Sequence, residues 1–254
     1  MTSSPPAMSL QASPLPASLP AATAATTAAA ATVQPVAAGA RVAVVAGATG
    51  LVGREILARL LADNTWQTVH CVGRSAPAVV HPKLVVHLAP DLSSFVPPPV
   101  DDVFIALGTT IKVAGSQQAF RAVDFDAVLA VARAGRSAGA QRLGIVSAMG
   151  ADSRSSVFYN RVKGDMENAV SALGYDAVVL ARPSLLSGDR STLAQPKRSA
   201  EKFAAAAMRL LRPVTPANYR AIAAADVAQA LINTFKNSPA GHHVLLSGDM
   251  QSPS

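Results

Sequence analysis

The chain has 254 residues, of which 50% are hydrophobic and only 15% are charged, and its formal net charge is +7. A chain of this length and composition can bury a substantial hydrophobic core, so it does not belong to the intrinsically disordered proteins. Its length suits one α/β domain with additional segments. The positive charge favours an anionic ligand, but no zinc-finger, helix-turn-helix or aromatic RNA-binding motif accompanies it, so we expect no nucleic-acid partner.

Residues 1–40 are mainly Ala, Pro, Ser and Thr and include no charged side chain. Such a segment has little large apolar surface to bury, so we predict a disordered leader in front of a domain at 41–254. The leader lacks the basic residues of a signal or transit peptide, and the Ala/Thr run at 21–31 is too weakly apolar to span a membrane. The sequence leaves its purpose open.

Cys71 is the single cysteine, so an internal disulfide framework is excluded and a reducing compartment is favoured. We interpret it as a core thiol and predict a cytoplasmic protein. The adjacent His242 and His243 would point to opposite faces of a strand, and no other cluster of metal ligands appears, so we predict no metal site.

The central motif is a short apolar run that leads into three glycines. Arg41–Ala46 is predicted to be a buried parallel strand, and a helix is predicted over Leu51–Leu61. The spacing Gly-x-x-Gly-x-x-Gly suits a turn that holds a pyrophosphate at a helix N-terminus, although a strand-to-helix turn with small packing residues is the alternative. The predicted cofactor contacts in this loop are Gly47, Thr49, Gly50, Leu51, Val52 and Gly53.

A second strand is predicted over Thr68–Val72, and Arg74 follows it about 20 residues past the glycine loop, where this fold reads the adenosine ribose. An acidic residue there would bind the 2'-hydroxyl of NAD, whereas an arginine can pair with the 2'-phosphate of NADP. We therefore predict NADP(H), with NAD as the weaker alternative. A solvated arginine at a strand end is the other interpretation.

Two further predicted strands end near the same crevice. The strand Lys83–Leu88 leads to Asp91 and Leu92, where the acid can meet an adenine amino group or simply stabilise a turn. The strand Asp102–Leu107 ends in a glycine and hydroxyl residues, a pattern typical of ligand contacts in open α/β sheets. The predicted contacts here are Leu107, Gly108 and Thr109.

A long helix should follow, with Asp124 near its start as a surface acid. The next strand, Arg142–Ser147, brings Ser147 to the crevice. On the helix after it, Tyr159 and Lys163 are one turn apart, and a neighbouring ammonium favours the phenolate form of a tyrosine. Ser147, Tyr159 and Lys163 form the predicted catalytic set, and a structural tyrosine beside a solvated lysine is the alternative.

The C-terminal part, about 184–254, is expected to shape the substrate side. A sixth strand, Asp176–Leu180, leads to Pro183, which would fix the exit of the next loop. A basic helix over 199–211 suits a lid or packing role better than membrane insertion, because its apolar side is mostly alanine. Asp226 is predicted to cap a last helix, and 243–246 is predicted to be a last strand.

These motifs, in this order, resemble the atypical short-chain dehydrogenase/reductases, and among them the NAD(P)H-binding oxidoreductases of the HIV Tat-interacting protein family. The resemblance covers residue 41 to about 236 and rests on Gly47–Gly53, Leu107–Thr110, Val123–Asp126, Val146–Asp152, Tyr159–Gly164 and Arg182–Ser184. It implies a Rossmann fold, NADPH in the glycine loop, a loop after the sixth strand that covers the nicotinamide, and the Ser147, Tyr159, Lys163 triad. Related enzymes often have an asparagine near Asp124, where this chain has an acid.

The sequence thus predicts a doubly wound, mainly parallel α/β domain of the Rossmann type. We expect an NADPH-dependent oxidoreductase that transfers hydride to a carbonyl or activated alkene of a small-molecule substrate. A non-catalytic NADP(H)-sensing regulator is the alternative, and a sugar-nucleotide epimerase or dehydratase is a third. We expect no stable membrane insertion, and homo-oligomer formation stays open.

Overall fold

The computed structural model describes residues 40–187 and 216–251. Seven strands form one sheet in which every pairing is parallel. They are β1 Arg41–Ala46, β2 Trp66–Gly73, β3 Leu84–Leu88, β4 Asp102–Ile105, β5 Arg142–Val146, β6 Ala177–Arg182 and β9 Gly241–Leu246, in the spatial order β3-β2-β1-β4-β5-β6-β9. The prediction of a doubly wound Rossmann-like fold is confirmed.

Helices connect the strands and cover both faces of the sheet. They are α1 Leu51–Ala62, α2 Ile111–Ala114, α3 Gln117–Arg121, α4 Val128–Ser137, α5 Phe158–Ser171 and α6 Ala224–Asn237. A π-helical turn, Ala122–Ala127, joins α3 to α4, and a small parallel pair is formed by β7 Leu186–Ser187 and β8 Ile222–Ala223. Within the described ranges, no helix combines the length and the apolar character needed to cross a membrane.

The sheet separates two hydrophobic cores. On one face, buried side chains such as Ile56 of α1 and Phe235 of α6 pack with Phe104 of β4. On the other face, Val131 of α4 and Met166 of α5 belong to the core formed with the alternate strand residues. Burial on both faces explains why the central strands β1, β4, β5 and β6 are nearly continuous apolar runs in the sequence.

Several element boundaries differ from the prediction. β2 begins at Trp66, because the indole is buried and donates a hydrogen bond to the carboxylate of Asp102. Asp226 is not the cap of α6: Ala223 holds the cap position and Asp226 lies in the first helical turn. The two-residue strands β7 and β8 are too short to leave an alternating pattern. The predicted leader, apart from Ala40, and the predicted helix 199–211 lie outside the described residues.

Cys71 lies in β2, is buried, and has its thiol pKa raised to about 11 by that burial. A thiol that stays protonated at neutral pH is a poor nucleophile. The interpretation of Cys71 as a core side chain agrees with this placement.

His70 of β2 and His87 of β3 form a pair that predicts acid sensitivity. Nδ1 of His70 lies 2.9 Å from Nε2 of His87, and burial, followed by repulsion from His87, lowers the pKa of His70 to about 4. The unfolded chain, with an ordinary histidine pKa of about 6.5, binds more protons between these values, so stability is full above about pH 6.5 and falls towards pH 4. Because His70 is only half-buried, we expect a loss of about 1–2 kcal/mol.

Chemical denaturation at several pH values measures this effect as a difference between the wild type and His70→Asn. The variant should lose that part of the acid dependence, whereas His242→Asn, which removes an exposed histidine, should keep it. Identical pH profiles of the wild type and His70→Asn would contradict the assignment.

Candidate active site

The candidate site lies where the chain changes direction at the middle of the sheet. β1 and β4 are neighbours, while β2 lies on the other side of β1 and β5 on the other side of β4. In open α/β sheets, the crevice at the carboxyl ends of such strands is the usual ligand site. The predicted site residues follow strands at this carboxyl edge or lie in the first two turns of α1 and α5.

Gly47 ends β1 in the left-handed region, with φ of +86°. A Cβ at this position would lie 2.5 Å from the carbonyl oxygen of Ala106, in the segment after β4. No side chain fits that gap, so the loop after β1 can approach the loop after β4 only with glycine here. The first glycine of the motif therefore closes the turn.

The other two glycines of the motif differ in the atoms that a Cβ would meet. A Cβ at Gly53 would lie 2.0 Å from the carbonyl oxygen of Gly47, so Gly53 lets α1 pack directly on the turn. A Cβ at Gly50 would meet the same oxygen at 3.3 Å, which a small shift relieves. Gly50 thus has no strong packing reason to be glycine, and close approach of a ligand is the remaining physical reason.

The amino end of α1 can hold an anion. Gly50 occupies its cap position without a side-chain hydrogen bond, and the first turn contains no acidic residue. The backbone N–H groups of this turn and the positive end of the helix dipole therefore favour a phosphate. Leu51 and Val52 belong to this turn, and Thr49 precedes it with an exposed side chain.

The other predicted cofactor residues follow the remaining strands. Arg74 is exposed immediately after β2, and Leu107, Gly108 and Thr109 follow β4. Pro183 is buried after β6, and its carbonyl oxygen accepts a hydrogen bond of 2.9 Å from the Met149 N–H. The loops after β5 and β6 are thereby tied together beside the crevice.

Asp91 already has local hydrogen-bond partners. Its carboxylate accepts bonds from the Ser93 N–H at 2.9 Å and the Ser93 hydroxyl at 2.6 Å, and both bonds lower its pKa. It caps the short turn Leu92–Ser94. Its contact with adenine stays a prediction, since the turn alone accounts for an acid here.

Ser147 follows β5, and its side chain is aimed at no protein group in the described parts of the chain. Its N–H donates to the Ala181 carbonyl oxygen at 2.7 Å, which fixes the backbone. The residue is only 6% exposed, and its Oγ has no hydrogen-bond partner. A buried hydroxyl without a partner is costly unless a ligand or water completes its bonding.

Lys163 and Asp124 form a buried ion pair. Nζ of Lys163 lies 2.7 Å from Oδ1 of Asp124, and the two side chains are 4% and 1% exposed. No N–H or O–H group of the described residues donates a well-oriented hydrogen bond to this Oδ1. The short distance between opposite charges defines the ion pair regardless of that alignment.

The interpretation of Asp124 as a surface acid is wrong. The residue lies in the π-helical turn, and its Oδ2 accepts a bond of 2.9 Å from the Thr109 N–H. Asp124 therefore connects the loop after β4 to Lys163. The sequence signal was its place in the motif where related enzymes carry an asparagine, but an acid near a helix start is ordinarily a surface residue.

Tyr159 lies one turn before Lys163 on α5, and its ring packs on Phe120 with centroids 5.4 Å apart. Burial, followed by repulsion from Asp124, raises its pKa to about 12. We predicted the opposite direction from the nearby ammonium. The difference arises first because the phenol is buried, and second because Lys163 is paired with the Asp124 carboxylate, which repels the phenolate.

A second ion pair, not predicted from the sequence, holds α5 on the sheet. Arg182, at the end of β6, binds Glu167 through two hydrogen bonds of 3.0 and 2.5 Å, and Glu167 is buried one turn after Lys163. Gly164 lets the same helix touch the loop after β5, since a Cβ there would lie 2.1 Å from the Ser153 nitrogen. These contacts fix the position of the Tyr159 and Lys163 backbone.

A protein-family model described as NAD(P)H-binding matches residues 47–238. Protein fmp52, mitochondrial, of Emericella nidulans is 34% identical over 172 residues, which cover 64% of this chain and 73% of that protein. Protein FMP52-1, mitochondrial, of Scheffersomyces stipitis is 31% identical over 212 residues, which cover 77% and 88%. Since such relatives are named as mitochondrial, the cytoplasmic prediction is wrong.

Solved structures with the same architecture include MoeE5 in complex with UDP-glucose and NAD, with 18% identity, a TM-score of 0.59, and coverage of 81% of this chain and 75% of that one. A short chain dehydrogenase family protein from Francisella tularensis has 13% identity, a TM-score of 0.62, and coverage of 83% and 98%. At these identities the likeness concerns the fold.

Proposed function

This chain belongs to the NAD(P)H-binding family, and from that premise we propose that it is an NADPH-dependent oxidoreductase of the short-chain dehydrogenase/reductase type. Its reaction is hydride transfer to a carbonyl or activated alkene of a small molecule. We propose kinship with the oxidoreductases of the HIV Tat-interacting protein family on the order of its motifs.

One observation carries this proposal. Asp124 binds the Thr109 N–H at 2.9 Å and Lys163 at 2.7 Å, so one buried carboxylate joins the loop predicted to touch the cofactor to the predicted catalytic lysine. A Cβ at Gly108 would lie 3.5 Å from the same carboxylate. A purely structural lysine has no need of this link to the crevice loop.

The proposed roles follow from the chemistry of each group. NADPH, when bound, supplies the hydride. The Tyr159 phenol donates the proton to the oxygen of the reduced carbonyl, and the Ser147 hydroxyl orients that oxygen. Lys163, whose ammonium has three N–H donors and lies 2.7 Å from one oxygen of Asp124, holds the nicotinamide ribose. Carbonyl, hydride and proton together give the alcohol.

Arg74→Asp is the substitution that tests the cofactor. Loss of the guanidinium removes charge-assisted bonds to the 2'-phosphate, so we expect NADPH affinity to fall about 10- to 100-fold. A carboxylate there can accept a bond from the ribose 2'-hydroxyl, so NADH affinity should rise. Fluorescence titration of the full chain with both nucleotides measures the change.

Two controls separate specific from general effects. Arg154→Asp makes the same charge change at an exposed arginine in the loop after β5 and should leave the preference unchanged. Gly50→Ala should weaken both nucleotides, because its Cβ would face the expected pyrophosphate path. Equal losses in the two arginine variants would contradict the 2'-phosphate assignment.

The second candidate is an NADP(H)-sensing regulator without turnover. The observation that favours it is the ion pair between Lys163 and Asp124, because a lysine already paired with a carboxylate can hold a nucleotide without assisting a proton transfer. A screen of carbonyl compounds and a partner pull-down, each with and without NADPH, separate the two functions. Turnover in the first supports the enzyme, and NADPH-dependent capture without turnover supports the regulator.

We also propose a mitochondrial location, since relatives carry that description in their names. Cell fractionation of the full chain tests it, and recovery only in the cytosol would contradict it.

A further inference from the structure

Asp124 is held more firmly than a lone salt-bridge partner. Its two oxygens have separate partners, the Lys163 ammonium at 2.7 Å and the Thr109 N–H at 2.9 Å. The residue lies in the π-helical turn between α3 and α4, and such turns frequently occur at functional sites. The carboxylate is therefore fixed in position and cannot rotate away from the lysine without losing a backbone bond.

The other charged groups near this pair have partners of their own. On α3, Arg121 binds Asp165 at 3.3 Å and stacks over Phe125, and on α5, Glu167 binds Arg182. Asp126, in the same π-helical turn, is exposed. After burial, repulsion from the Asp124 carboxylate is the second cause that raises the pKa of Tyr159.

We propose that Asp124 is a positioning residue that cancels the charge of Lys163 and thereby keeps Tyr159 a neutral phenol, which sets the site for proton donation and hence for reduction. This inference rests on the proposed function, because a direction has meaning only where hydride moves.

The physical reason is the small net field of a close ion pair. An isolated ammonium one helical turn from a phenol would stabilise the phenolate, whereas a neutral pair does so weakly. Burial and the carboxylate then act in the same direction and raise the pKa of Tyr159 to about 12. Such a phenol readily protonates the strongly basic oxygen formed by hydride addition, but it is a poor base for removing a proton from an alcohol at neutral pH.

Ultraviolet titration of tyrosinate tests this inference without substrate or turnover. The chain has 3 tyrosines, and subtracting the curve of Tyr159→Phe isolates the contribution of Tyr159. In the wild type, Tyr159 should contribute no phenolate up to about pH 10. In Asp124→Asn its titration should move down by at least about one pH unit, because the repelling carboxylate is removed and the ammonium loses its counter-charge. The matched background for the variant is Asp124→Asn combined with Tyr159→Phe.

Two controls complete the design. Asp126→Asn removes an exposed acid two residues away and should leave the Tyr159 curve unchanged. Asp124→Asn combined with Lys163→Gln removes both charges, so Tyr159 should again titrate high, because burial remains. This double variant is the safeguard where Asp124→Asn alone does not fold, since it leaves no unpaired buried charge.

The inference is overturned by a Tyr159 phenolate in the wild type near neutral pH, by an unchanged curve in Asp124→Asn, or by a low titration in the double variant. A carbonyl screen on the same proteins keeps the two proposals separate. The expected titrations without turnover would defeat the enzyme and leave the role of Asp124 intact. Turnover with an unshifted Tyr159 would defeat only the role of Asp124.

Discussion

Replacement of Tyr159 with Phe is expected to lower turnover by about 10²- to 10⁴-fold, which is the usual contribution of a positioned general acid. The substitution removes one hydroxyl and keeps the ring, which packs on Phe120 with the ring centroids 5.4 Å apart. Folding and NADPH affinity should therefore stay nearly unchanged. The measurement is the consumption of NADPH with the carbonyl compound that the wild type reduces fastest.

Tyr219→Phe provides the matched control, because this tyrosine is 65% exposed and has no assigned role. Its turnover should equal that of the wild type. Equal turnover in Tyr159→Phe would refute the acid role, and the proton donor would then have to be sought among water and the Ser147 hydroxyl. A loss of NADPH binding in Tyr159→Phe would show instead that the ring shapes the cofactor site.

The sheet and the glycine loop could be predicted because their signals are local. A strand buried on both faces must be apolar along its buried length, and β1 shows this in the five residues from Val42 to Ala46. Gly47 and Gly53 are required by backbone atoms close to them, the Ala106 and Gly47 carbonyl oxygens. For Gly53 the crowding atom belongs to its own turn, so spacing is enough to place it, whereas for Gly47 it belongs to the loop after β4 and the motif spacing stands in for a contact between distant segments.

The pairing of Asp124 with Lys163 could not be predicted in this way. The two residues are 39 positions apart, and their contact depends on how α5 packs beside the helix that contains the π-helical turn. Asp124 lies four residues from both Phe120 and Val128, and all three side chains are buried on one face. The surface interpretation followed from its charge and its place near a helix start, and neither reveals that a lysine of another helix lies opposite.

The location of the protein in the cell also could not be predicted from the cysteine content of the sequence. A single buried cysteine excludes a disulfide framework, but it is equally compatible with any reducing compartment. The cytoplasmic prediction chose one such compartment without a physical signal for it. The comparison with named mitochondrial relatives supplied information that chain chemistry lacks.

Asp102→Ala is expected to destabilise the fold by about 3–5 kcal/mol, the usual cost of breaking a buried ion pair. Asp102 is fully buried at the start of β4, where it binds Arg41 of β1 through Nε at 2.6 Å and through Nη2, and accepts a bond of 2.8 Å from the Trp66 indole of β2. One carboxylate thus joins three adjacent strands at the amino edge of the sheet. Its removal leaves the indole N–H buried without an acceptor.

This network lies at the amino edge of the sheet, opposite the candidate site at the carboxyl edge. The substitution should therefore lower the free energy of unfolding without changing nucleotide affinity. Denaturation in urea should show the loss, while NADPH affinity of the folded variant should match the wild type.

Asp176→Ala, at an exposed acid just before β6, should change stability by no more than about 0.5 kcal/mol. Combining Asp102→Leu with Arg41→Met should recover part of the loss, since apolar groups can replace a buried pair. Full stability in Asp102→Ala would contradict this prediction and would mean that water replaces the carboxylate as partner of both Arg41 and Trp66. The Arg41 side chain is 31% exposed, so water can reach its guanidinium. The Trp66 indole is buried, so water should not reach its N–H.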